Sequence, residues 1–197
     1  MHQRYEGPWA SLVHHSGRVL QGLSYQPTHA VIAAPTTSLP ETIGGIRNWD
    51  YRFAWIRDSV FTLQAFYMLG LRSEARAFIS WIRKILMRDG IGVQIMYGID
   101  TERNIPERKL DHLSGFENSR PVRIGNDAHY QAQHDIYGEI MDIMLTYVEY
   151  NGMIDRGLKH VLISLVEYVC KTWEEVDSGI ERGVHGGARG HPDRDPL

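Results

Sequence analysis

Apolar residues recur along this chain mainly at steps of three and four, the spacing of amphipathic helices. The clearest run is 155–176, where Leu158, Val161, Leu162, Leu165, Val169 and Trp173 fall on one face that is expected to pack on other helices as core. A second strong pattern spans 132–152 and closes on Asn151-Gly152. Upstream, 59–70 reads as a compact apolar helix with Asp58 as its N-cap and Gly70 as its stop. The next helix, 73–88, takes Ser73 as N-cap, gathers basic residues towards its end and stops at Asp89-Gly90. So short a link makes these two helices antiparallel neighbours. A weaker helical pattern at 9–25 is interrupted by Gly17 and Gly22.

Between the helices the pattern changes. Residues 27–49 are rich in Pro, Thr and Gly, with an apolar run, 30–34, that reads as a strand or a buried extended segment. Residues 90–132 are loop-rich, apart from 93–99, which alternates like a short strand. A loop that long inside a compact domain is functional or disordered. The last residues, 182–197, hold Gly, Pro and Arg and almost nothing apolar, so a flexible, aberrant-looking tail is expected there.

Composition narrows the classes. A chain of 197 residues, 43% apolar and 23% charged, has ordinary globular make-up and length for one sizeable core. A formal net charge of −3 removes the main electrostatic reason to expect nucleic acid or an anionic membrane as partner. The single cysteine, Cys170, forms no internal disulfide or cysteine metal cluster, which points to a reducing compartment. With no apolar signal core after Met1 and no long apolar stretch, a cytoplasmic location is expected. The ten histidines lack ligand spacing, so neither a metal nor a cofactor is expected. Nucleophile-elbow, phosphate-loop and zinc signatures are absent from the sequence.

Three segments concentrate chemistry. Residues 47–61 hold three Arg, two Asp, two Trp and a Tyr in front of a helix. Aromatic faces stack on sugar rings, and Arg with Asp makes the paired hydrogen bonds that hydroxyl-rich ligands need. A local reading also fits: Asp58 caps the helix, Arg57 pairs with a carboxylate, and the Trp residues are core. Residues 110–139 bring Arg120, Arg123, Asn126 and Asp127 into one loop ahead of Gln131, Asp135 and Glu139. The positive helix end accounts for Asp135 alone. At 173–181, Glu174, Glu175, Asp177 and Glu181 crowd a helix C-terminus, where the dipole disfavours acids. Either a solvated acidic end or one carboxyl of a glycosidase pair explains them.

Taken together, GGIRNWDYRFAWIRDS, LDHLSGFENSRPVRIGN with QAQHDIYGEIMD, and the helix running into DSGI resemble glycoside hydrolase family 15, the glucoamylase-like enzymes and bacterial trehalases. The resemblance covers about residues 6–181. It implies an all-α fold, an (α/α)6 barrel with its site at one end, of which this chain carries about five helices of twelve with a short β/loop insertion. It also implies inversion at an α-linked glucosyl residue, by an acid and a base whose carboxyls lie about 6.5–9.5 Å apart.

By the same resemblance, Arg57 and Asp58 match the WxRD motif that grips the terminal glucose, and Trp49 and Trp55 shape that pocket. Arg123 and Asn126 match the neighbouring loop. Glu181, in Asp177-Ser178-Gly179-Ile180-Glu181, is the candidate general acid, although the Trp of the family pattern DxGIWE is missing before it; Glu174 is the runner-up. The base belongs to the other half of the barrel and is assigned to no residue here. Residues 1–181 are therefore expected to form the N-terminal half of such a catalytic domain, inactive alone, acting in its parent on an α-glucoside oligosaccharide or disaccharide. Exposed apolar helix faces would favour self-association. The alternative is a non-catalytic carbohydrate-binding or interaction remnant of that fold.

Overall fold

The computed structural model of the chain describes residues 5–150 and 152–178. The predicted tail, 182–197, and Glu181 lie outside them. Five helices carry the fold: α1 (Ala10–Gly22), α2 (Ile56–Met68), α3 (Arg72–Asp89), α4 (Asp135–Glu149) and α5 (Arg156–Thr172). Four two-residue strands form two antiparallel ribbons. Strand β1 (Ala54–Trp55) pairs with β2 (Met96–Tyr97), and β3 (Arg108–Lys109) with β4 (Arg123–Ile124).

Helix α2 lies at the centre, packed on α4, α3 and α1, while α5 covers α3 and α4. The turn from α2 to α3 follows from its sequence. Gly70 takes φ 74°, its N–H bonds to the Tyr67 carbonyl, and the Leu71 N–H reaches back to Phe66. That is the Schellman arrangement, which glycine permits at no steric cost. The core joins Leu63 and Phe66 of α2, Phe78, Trp81 and Ile82 of α3, and Ile140 of α4.

Both predicted N-caps are corrected. Helix α2 begins at Ile56, with Trp55 as N-cap, and Asp58 sits in the first turn. The Ile56 N–H is taken by the Ile95 carbonyl, so the helix grows straight out of the β1–β2 ribbon and needs no side-chain cap. Helix α3 begins at Arg72 after Leu71, and the Ser73 hydroxyl bonds Glu74 instead. Helix α1 runs through Gly17 to Gly22, and the apolar run near Ala30 is extended: Ala33 and Ala34 donate to Phe53 and Tyr51.

The apolar face of α5 is only partly covered. Leu158 and Leu165 are buried, whereas Val166 is 48% and Trp173 67% exposed. Leu145 and Val148 on α4 and Phe61 and Met68 on α2 are open as well. The expectation that the whole α5 face is core therefore fails, because nothing among the described residues lies against its outer half.

One buried carboxylate ties the end of α3 to the loops. Asp89, 3% exposed, binds Arg88 at 2.7 Å and Arg103 at 3.1 Å and accepts the Tyr97 hydroxyl at 2.8 Å. Burial pushes this carboxyl up, but hydrogen bonds from Arg88 and Tyr97, with the Arg103 charge, hold it below the usual range. A depressed folded value stabilises the fold above the unfolded carboxylate value and loses that stabilisation as pH falls through the folded one. Thermal melts of Asp89→Asn and the parent chain are expected to differ clearly near neutral pH and to converge as pH falls through the lowered value of the folded carboxyl.

Candidate active site

The ribbon and the start of α2 present Trp55, Arg57 and Asp58 together, and the N-terminal end of α4 faces them. Arg57 Nη1 donates to Gln133 Oε1 at 3.0 Å and to Asp135 Oδ2 at 3.1 Å. Its guanidinium lies 5.8 Å from the centre of the Trp55 ring. Gln133 is buried and donates in turn to Gln131 Oε1 at 2.8 Å, so the glutamine that orients Arg57 is itself held. The sequence-level reading of Arg57 as the partner of a carboxylate is met by Asp135.

Three carboxyl groups surround this one guanidinium. Crowding by protein atoms raises the Asp58 carboxyl above its ordinary value, with Arg57 pulling the other way, even though much of the residue is exposed. Glu139, one turn beyond Asp135, is raised by burial, then by the charges of Asp135 and Asp142, with Asp58 adding to them. Asp58 and Trp55 also line a cleft of about 330 Å³ whose other walls include Leu20, Leu23, Val31 and Phe61. Polar groups beside an apolar wall are the combination that a neutral, hydroxyl-bearing ligand needs.

Arg123 and Asn126 hold two loops together. Arg123, 7% exposed, donates from Nε to Glu107 at 2.7 Å and from Nη1 to the carbonyls of Ile46 and Asn48. It also lies over the ring of half-buried Trp49, 4.6 Å from its centre. Its own backbone is fastened by Ser38 and Thr37. Asn126 donates to the Asp50 carbonyl and accepts from the Ala128 N–H, capping the turn Asp127–Tyr130. Asp50, fully buried, grips Arg52 through both oxygens and accepts from the Gly125 N–H. Gly125 is required there: its φ is 80°, and a Cβ would stand 1.9 Å from the Pro106 carbonyl oxygen.

Sequence reasoning missed Gln133 and Glu107. The alternation Gln131-x-Gln133-x-Asp135 was the available signal for the first; nothing in the sequence marked Glu107. Glu174 lies exposed beyond the end of α5 and joins none of the contacts around Arg57. Five buried side-chain atoms lack a hydrogen-bond partner among the described residues, and four of them (Asn48, Trp55, His129 and Asp135) belong to the two candidate segments. Buried atoms left without partners are costly. No group of three or more His, Cys, Asp or Glu among the described residues could hold a metal ion, and no described helix is long and apolar enough to cross a membrane.

The packed helices are those of a partial all-α barrel. Residues 8–182 match Glycosyl hydrolases family 15, and the chain belongs to that family. It is 48% identical over 176 residues to a trehalase of Mycolicibacterium smegmatis and 46% identical to one of Mycobacterium tuberculosis, in each case across 88% of this chain and 26% of the relative. A Thermoplasma volcanium trehalase is 38% identical, over 89% of this chain and 28% of its own length. The chain thus spans between a quarter and three tenths of the length of these relatives. A solved glycosidase structure superposes with a TM-score of 0.58 at 18% identity, over 86% of this chain and 42% of the other, and supports the partial all-α barrel.

Proposed function

We propose that this chain supplies the N-terminal part of an inverting glycoside hydrolase acting on α-linked glucosides, with trehalose as the substrate. The observation that carries the reading is the Arg57 cluster. Gln133 and Asp135 fix one edge of the guanidinium, with Asp58 and Trp55 beside it, in a chain up to 48% identical to trehalases over 176 residues. Arg57 and Asp58 bind hydroxyls of the terminal glucose, and Trp55 supplies the apolar wall. Trp49, Arg123 and Asn126 shape the neighbouring loop from behind. Glu181 is the general acid. In support, the residues just before it are fastened beside the cluster: Asp177 to the His134 N–H and Ser178 to the Ala132 carbonyl. The base is assigned to no residue of this chain.

An inverting hydrolase needs both carboxyls, so the isolated chain is expected to release no glucose from trehalose or maltose above the blank. Turnover at a normal enzymatic rate would overturn the reading of an incomplete catalytic set. Titration calorimetry with glucose, trehalose and maltooligosaccharides addresses the alternative. Saturable heat without turnover would favour a sugar-binding remnant; no heat would fit a part that needs the remaining barrel.

A further inference from the structure

Helix α5 carries two apolar faces. One is packed: Leu158 and Leu165 are buried, with Val161, Leu162 and Val169 against the same core. The other consists of Ile163, Val166, Cys170 and Trp173, all of them exposed. These four follow one another at steps of three, four and three, the seam by which one helix lies along another. Helical geometry sets this strip roughly a quarter turn from the packed face. Its flanking charges are divided. Arg156 and Lys159 stand at the N-terminal end, Glu167 and Glu174 towards and just past the C-terminal end, and all four are exposed. His160 and Lys171 fall about another quarter turn away from the strip, and Asp155 is engaged by Arg83. Phe61 and Met68 of α2 and Leu145 and Val148 of α4 are open too, but the exposed charges beside them are Asp58, Asp142 and Glu149. Two copies of that acidic face would repel; the α5 strip carries both signs, one at each end.

We propose that the strip from Ile163 to Trp173 is the contact between two copies of this chain, laid antiparallel about a two-fold axis. A two-fold contact must be complementary to itself when reversed, and this strip is. Ile163 and Val166 then meet Trp173 and Cys170 of the second copy, and each Lys159 comes within a turn of the other Glu174. A parallel pair would instead set Lys159 on Lys159 and Glu174 on Glu174, with the helix dipoles aligned unfavourably. The strip is about 15 Å long, which puts the contact at the small end of specific interfaces and makes the dimer weak and reversible. Nothing in this proposal depends on the Arg57 cluster or on a sugar.

Sedimentation equilibrium of the 22.6 kDa chain under reducing conditions tests it. The average mass is expected to rise from one chain towards two, and no further, as the concentration goes from micromolar to millimolar. Val166→Glu should hold the chain monomeric throughout while its circular dichroism stays that of the parent. Lys159→Glu sets like charges together and should weaken the dimer about tenfold. Adding Glu174→Lys to that variant exchanges the two signs and should restore the dimer. If Val166→Glu loses helix content, the charge exchange decides, because both of its positions are exposed. A chain that is monomeric at every concentration overturns the proposal, as does one that associates only with the remaining polypeptide of its parent. So does a dimer that survives Val166→Glu in a folded chain, one indifferent to Lys159→Glu, or one that the exchange fails to restore.

Discussion

Replacing Arg123 by alanine is expected to cost about 3–5 kcal/mol of stability, the range for removing one partner of a buried ion pair. The side chains of Arg123 and Glu107 are only 9% and 16% exposed, so Glu107 would be left as a nearly buried, uncompensated charge. The carbonyls of Ile46 and Asn48 would lose their donor, and the Trp49 ring its covering cation. Lysine should recover only part of the loss, because a point charge cannot serve a carboxylate, two carbonyls and an aromatic face at once. Urea unfolding monitored by circular dichroism measures the effect. Arg120→Ala, an exposed neighbour, is the control and should fall within about 0.5 kcal/mol of the parent. An Arg123→Ala chain with unchanged stability would refute the scaffold role and return this arginine to the ligand side of the loop.

That experiment bears on what the sequence made legible. The helices were readable because periodicity and stop signals agree: Gly70 and Gly90 both take positive φ where the pattern ends. The helix starts were not, because Asp58 and Ser73 have cap chemistry but both helices begin upstream of them. Ile56 bonds the Ile95 carbonyl, 39 positions away, and Ala75 bonds Leu71 directly. A cap preference is local, whereas the partner that displaces it comes from tertiary structure.

The site shows the same division. Arg57 and Asp58 stood out through residue type and neighbourhood, and a carboxylate partner for Arg57 could be expected on charge grounds alone. That Asp135 is this partner, and that Gln133 shares the load, depends on α2 packing against α4 across 78 and 76 positions. Arg123 and Asn126 read as ligand contacts because arginine and asparagine carry the same donors for a sugar hydroxyl as for a backbone carbonyl. Only burial separates the two uses. The resemblance to family 15 supplied the barrel; the open outer face after α5, with Trp173 67% exposed, required the structure.

Trp81→Ala should be comparably damaging, at about 3–5 kcal/mol for emptying a buried aromatic site. Trp81 is 1% exposed, stacked on Phe78 at 5.9 Å and met edge-on by Tyr97 at 6.2 Å. Tyr97 pairs with Ala54 in the ribbon that carries Trp55 and launches α2 towards Arg57. The loss should therefore reach the site: amide exchange at Ile56 and Tyr97 is expected to accelerate along with global unfolding. Trp81→Phe is the informative companion. The indole Nε1 has no hydrogen-bond partner among the described residues, so phenylalanine gives up some packed area but also removes a buried donor that bonds none of them. It should lose far less stability than alanine in the same denaturant titration. A phenylalanine variant as unstable as the alanine one would mean that the indole N–H is engaged, and that the ribbon beneath Arg57 depends on a polar contact as well as on packing.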